Sequence, residues 1–295
     1  MDFQEAPKGF NFKNNVRHVV CNINCMKLLN EVRATRFFFE SFSFLQFGRD
    51  ALMLTSPSSV PFSINGILMS AEQTLESLES CCEKGNFSDS YVLVRKYRDD
   101  LFFYLYILLV NKENIENFMA GLSESPRNKK QAENINKWLA NKLENLHISE
   151  ILKYIASSQR LSEAVCKYNL KVSFDDIGKK LNNFVHANGI SYYNKPFGHY
   201  RDDELMRTCE DLQNALDYIT VTFLFLSALC NPLSIMSSDY TDYLDFGETP
   251  PDNSQYWVAP FVTDYFQKKI SLIDKNGLKY LQNETGMQLI ETQNE

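Results

Sequence analysis

Four residues on one short stretch, Lys179, Asn182, Asn183 and His186, have the types and the spacing of an acid–base site. On a helix over 173–188, turning about 100° per residue, they fall at i, i+3, i+4 and i+7 and share one side. Phe174, Ile177, Leu181 and Val185 form an apolar stripe on the other side. An imidazole trades protons near neutrality, a lysine supplies a cation, and the two amides can orient an anion or the ring. The same row is also what any amphipathic surface helix presents opposite its core stripe. Spacing alone leaves both readings open.

A second constellation precedes Leu101. The stretch SYVLVRKYRDDLFFYLYILLV, Ser90–Val110, sets Arg95, Lys96, Arg98, Asp99 and Asp100 against a continuous apolar run. Leu101–Val110 is hydrophobic all round, which predicts a central helix. Charges on such a helix require partners, because desolvating one alone costs several kcal/mol. One reading is a structural network, Arg95 with Asp99 at i,i+4 and Arg98 with an acid on a neighbouring helix. The other aims both guanidiniums at an anion, most naturally a phosphate.

Around the first row lies a small basic island. From Lys179 to Arg201 there are Lys179, Lys180, Lys195 and Arg201 and no acid, although the whole chain carries a net charge of −7. The loop ISYYNKPFGH adds Tyr192, Lys195 and His199, and with Lys180 and Asn188 it offers stacking surfaces and phosphate contacts. Packed against the helices, the same aromatics make an ordinary turn. The acidic sum excludes a protein that grips nucleic acid with its entire surface. Seven cysteines without a CxxC pair give no zinc spacing, so no metal site is expected and reduced thiols are the better reading. No phosphate-binding glycine loop, dinucleotide fingerprint, HExxH or GxSxG is present. No cofactor is expected.

The elements that must position these residues are helical. Ile135, Trp138, Leu139 and Leu146 recur at helical spacing, and Ile148, Ile151, Leu152 and Ile155 continue a second stripe. Ser173 and Asp176 read as a capping box opening the His186 helix. Further helices are expected near 17–52, 64–84, 88–112, 200–230 and 259–273, with Asn188-Gly189 and Asn276-Gly277 as helix stops. Strand alternation is sparse. The expected fold is all-α, a bundle of long antiparallel helices, with 1–245 as the bundle and 246–295 as a C-terminal helical extension on it. Tyr218–Ser238 has no charge, but its strongly apolar part ends at Cys230 before Asn231-Pro232, short of the roughly 20 residues a membrane span needs. A buried core helix is expected there, with no membrane partner. MDFQEAPKGF has neither a basic nor an apolar leader region, so a cytoplasmic location is expected.

The stretch KKLNNFVHANG resembles the Arg-(x4–6)-His motif of HEPN domains, an all-α superfamily rich in toxin and antiviral proteins. Here Lys179, six residues and His186 take the positions of the pair. Lysine replaces the motif's arginine, and Lys180 stands where an asparagine commonly follows. The resemblance implies a HEPN-like core with added N- and C-terminal helices. It also implies a metal-independent endoribonuclease of the toxin or antiviral type, working at a homodimer interface on RNA, with a regulatory protein as a further partner. In that reading the ribose 2′-hydroxyl attacks the neighbouring phosphate. His186 moves the proton, Lys179 offsets the developing charge with help from Arg95 or Arg98, and Asn182 and Asn183 orient the phosphate. A non-catalytic helical module that binds a partner protein or a nucleotide-like ligand is the alternative.

Overall fold

The computed structural model describes residues 21–47, 49, 63–121, 126–142, 146–188 and 202–289. Among them are eleven α-helices. They are α1 (Ile23–Gln46), α2 (Asn65–Glu83), α3 (Phe87–Met119), α4 (Pro126–Leu139), α5 (Ile148–Ala156), α6 (Ser162–Lys167), α7 (Leu170–Val185), α8 (Asp202–Cys230), α9 (Asp239–Asp245), α10 (Pro260–Lys269) and α11 (Gly277–Thr285). Extended pairing among the described residues is limited to two isolated bridges, Met236 with Val258 and Trp257 with Gln288. The all-α class holds.

The chain divides into two compact units, and α1, α2, α3, α7 and α8 each contribute to both. Among the described residues, the first unit takes 21–37, 73–97, 176–188 and 202–216; the second takes 38–47, 49, 63–72, 98–121, 126–142, 146–175 and 217–289. Residues 246–289 therefore belong to a unit that also draws on earlier stretches of the chain.

In the first unit, Leu28 and Val32 of α1, Leu75 and Leu78 of α2, Tyr91, Val94 and Tyr97 of α3, Leu181 of α7 and Leu205, Leu212 and Leu216 of α8 are buried. Fully burying side chains of this size contributes about 1.5–3 kcal/mol apiece. On the surface, Arg33 of α1 bridges two acids of α2, Glu79 at 2.5 Å and Glu83 at 2.7 Å.

In the second unit, the predicted central run is realised. Leu101–Val110 is buried at every position except the half-buried Phe103. The apolar half of α8 lies in the same unit, with Ile219, Val221, Phe223, Leu224, Phe225 and Cys230 all buried. This is the one described helix long and apolar enough to cross a membrane, and 83% of its apolar window is buried in the protein. Phe223 touches Phe39, Phe42 and Tyr104 with ring centroids about 6 Å apart. A buried ion pair, Lys269 Nζ to Asp217 at 2.7 Å, ties α10 to α8.

Several boundaries differ from the expectations, each for a local reason. α7 begins at Leu170, ahead of the Ser173 signal, because Asn169 takes a left-handed conformation (φ 50°) that ends the preceding turn and starts the helix. α3 runs on to Met119 and stops where Gly121 adopts φ 65°. The Ile135–Leu146 stripe is cut at Leu139, after which Asn141 turns left-handed (φ 55°). Asn276-Gly277 opens α11 and does not stop a helix: Asn276 is its N-cap. Gly277 is buried there, and a Cβ would come within 2.8 Å of Ile270 Cγ1, so the backbone packs where only glycine fits.

Candidate functional site

The polar row on α7 divides between a groove and open surface. Buried on α7 are Leu170, Phe174, Gly178, Leu181 and Phe184, whereas Val185 is 38% exposed. Phe184, not Val185, thus continues the core stripe, and its ring stacks on Tyr91 of α3 with centroids 3.9 Å apart and planes 6° from parallel. That stack floors a groove of about 250 Å³ in the first unit. Lys180 and Asn183 of α7 line one wall; Glu204, Arg207, Thr208 and Asp211 of α8 line the other.

The α8 wall has a helical logic of its own. Residues 204, 207, 208 and 211 are at i, i+3, i+4 and i+7, so one face of α8 meets one face of α7. The charges across the groove are matched. Lys180 Nζ lies 3.2 Å from Asp211, and Arg207 Nη2 lies 2.6 Å from Asp203 one turn earlier on α8. The stretch 179–188 contains no acid in sequence, yet Asp211 of α8 reaches it in space.

Lys179 is exposed and bound to Asp176 at 3.1 Å, one turn back on α7. Asn182 is half-buried, with Oδ1 shielded from solvent and without a hydrogen-bond partner among the described residues. His186, Ala187 and Asn188 are exposed. His186 is the first residue past the end of α7: its N–H donates to the Asn182 carbonyl at 3.0 Å, and the Asn188 N–H reaches back to the Asn183 carbonyl at 2.8 Å. Ala187 adopts φ 52°, the left-handed turn of a Schellman cap in which an alanine does the work usually left to glycine. The Asn188-Gly189 stop therefore falls one residue early.

The two arginines of α3 fall in different units. Arg95, in the first unit, is half-buried one helical turn beyond Tyr91. Arg98, in the second, is 3% exposed. Its Nε and Nη2 both donate to Asp99 Oδ1, at 2.9 and 2.7 Å. That partner is its sequence neighbour, where an acid on another helix was expected. Asp100 accepts from Ser70 Oγ of α2 at 3.0 Å. Tyr192, Lys195 and His199 lie outside the described residues.

Of the candidate residues, Lys180 and Asn183 line this groove, whereas Tyr91, Phe184 and the whole α8 wall were not among the candidates. The Glu204–Asp211 periodicity was the signal that would have found the latter. Among the described residues no three His, Cys, Asp or Glu side chains converge on a point that suits a metal ion. A larger groove of about 520 Å³ lies in the second unit, but its aromatic walls already hold a cation: Lys167 Nζ sits 4.2 Å from the centroid of Tyr280 and 5.5 Å from that of Tyr168. In comparisons with known proteins, no family model matches the chain, nor does any curated protein or solved structure.

Proposed function

We propose that the chain is a helical binding module whose α7–α8 groove receives a segment of a partner protein. One observation carries this reading: both cations lining the groove are already paired with carboxylates, Lys180 with Asp211 and Arg207 with Asp203. A phosphate backbone is held by unneutralised lysines and arginines. A groove of matched charges over a stacked aromatic floor suits a ligand carrying both signs, as a peptide does. Asn183, exposed on the groove wall, offers both a donor and an acceptor to a peptide backbone.

The ribonuclease of HEPN type is the second reading. Its supporting observation is that Lys179 on α7 and His186 just past its end are both exposed to solvent. In that reading His186 moves the 2′-hydroxyl proton and Lys179 leaves Asp176 to meet the developing charge.

A photo-crosslinking side chain at Asn183, introduced in the native host, separates the two. The binding module gives a discrete protein adduct that survives ribonuclease treatment. That adduct is lost when Lys180→Asp is combined with Asp211→Lys, which keeps the internal pair but reverses its sense. An adduct that ribonuclease removes supports the second reading and overturns the first.

A further inference from the structure

The second unit carries a surface unlike the α7–α8 groove. α9, Asp239–Asp245, is a helix with no buried residue. A seven-residue helix has little stability of its own, and this one leaves Leu244 51% exposed and its C-cap Phe246 82% exposed. Facing it, Phe44 in the last turn of α1 is 77% exposed and Phe47, just past its end, is 81% exposed. Between the two elements runs a groove of about 510 Å³, floored by Leu45 and Phe261 and edged by Phe44, Phe47, Asp242 and Asp245. Phe44 and Phe47, this accessible at one groove, mark an interaction site.

Both rims are anchored. Gln46 Nε2 donates to the Ser234 carbonyl at 2.6 Å, and Arg49 Nη1 donates to the Met236 carbonyl, pinning the end of α1. Ser237 is bonded through its N–H to the Trp257 carbonyl at 2.7 Å and through Oγ to Asp239 at 2.7 Å, which fixes the start of α9. The groove is preformed, so a ligand meets little ordering cost.

Charge selects the occupant. From Ser237 to Asn253 the chain has five acids, Asp239, Asp242, Asp245, Glu248 and Asp252, and no lysine or arginine. Among the described residues that line the groove, Arg49 is the cation, against Asp242 and Asp245. A second copy docking this face on itself would set acid against acid. Anionic lipid headgroups would meet the same repulsion. A basic amphipathic helix satisfies both features, with apolar anchors at i, i+3/i+4 and i+7 between the phenylalanines and lysines or arginines along the acidic rim. We infer that the α1–α9 groove is a docking site for a basic amphipathic helix of a partner protein, separate from the α7–α8 groove.

The test uses an 18-residue helical peptide of leucine and lysine with one tryptophan reporter, and its glutamate counterpart, titrated against the full chain. The lysine peptide is expected to bind and the glutamate peptide not. Phe44→Ser with Phe47→Ser should weaken binding about tenfold or more, and so should Asp242→Lys with Asp245→Lys. All four positions line an open groove, and circular dichroism verifies that the variants keep their helices. The inference is overturned if either double variant binds as the wild type does, or if the glutamate peptide binds equally. It is also overturned if light scattering shows a dimer that the phenylalanine variant dissociates, or if that variant abolishes sedimentation with phosphatidylglycerol vesicles. Binding of the lysine peptide that only α7–α8 groove substitutions disturb would assign it to the other groove and likewise overturn the inference.

Discussion

Oxidation should staple α1 to α8 through Cys25 and Cys209. Their sulfurs lie 3.3 Å apart in the first unit, and the residues are 1% and 2% exposed. The Cys209 thiol hydrogen-bonds the Cys25 sulfur and holds that thiol below its usual pKa, against burial, which pushes it up. A disulfide requires the sulfurs to close to about 2.05 Å, a shift that side-chain rotation and a slight approach of two helices can supply. The bond would close a loop between residues 184 positions apart. On the chain-entropy account that constrains the unfolded state by about 5 kcal/mol. For a chain of this size the gain corresponds to a rise in Tm of roughly 8 °C, less whatever strain the closure introduces. Diamide supplies the oxidant, taking up the two thiol hydrogens as the S–S bond forms. Peptide mapping without reductant should then find Cys25 joined to Cys209, and the oxidised protein should melt higher than Cys209→Ser treated in the same way. Cys25 and Cys209 that remain alkylatable after oxidation and unfolding would refute the staple. It fails equally if Cys25 pairs with Cys21 or Cys82, or if the bond forms without raising Tm.

Three further outcomes follow from the packing. Asp217→Asn removes the carboxylate that Lys269 Nζ meets at 2.7 Å, and should cost about 3 kcal/mol; denaturant unfolding measures it, and combining Asp217→Leu with Lys269→Met should recover much of the loss. Ala187→Gly relieves the left-handed turn after α7 and should stabilise by about 0.5–1 kcal/mol, read as a small rise in Tm; a fall would show that the turn is not left-handed. In the native protein at pH 8, Cys21 and Cys166 are exposed and should react first with a thiol reagent. Cys82 and Cys230, both pushed up to about 12 by burial, stay protonated there and should react only on unfolding.

The sequence carried the all-α class and the two central runs plainly, because Leu101–Val110 and Tyr218–Cys230 are apolar enough that only burial suits them. The end of α7 was legible to within a residue or two, but its faces were not. Stripes of 3.6-residue period do not distinguish Phe184 from Val185, and stacking on Tyr91, a contact 93 positions away, decided between them. An acid beside the described part of the basic island was hidden for a related reason. Lys180 is neutralised by Asp211, which is remote in sequence but one helix away in space. Arg98 shows the opposite case, finding its partner at the next residue, where helix-face arguments did not look.

The most direct test of the central claim is the integrity of cellular RNA on expression of the wild type and of His186→Ala. A charge-paired binding module predicts intact RNA and equal growth with both. RNA cleaved by the wild type and spared by His186→Ala would contradict it.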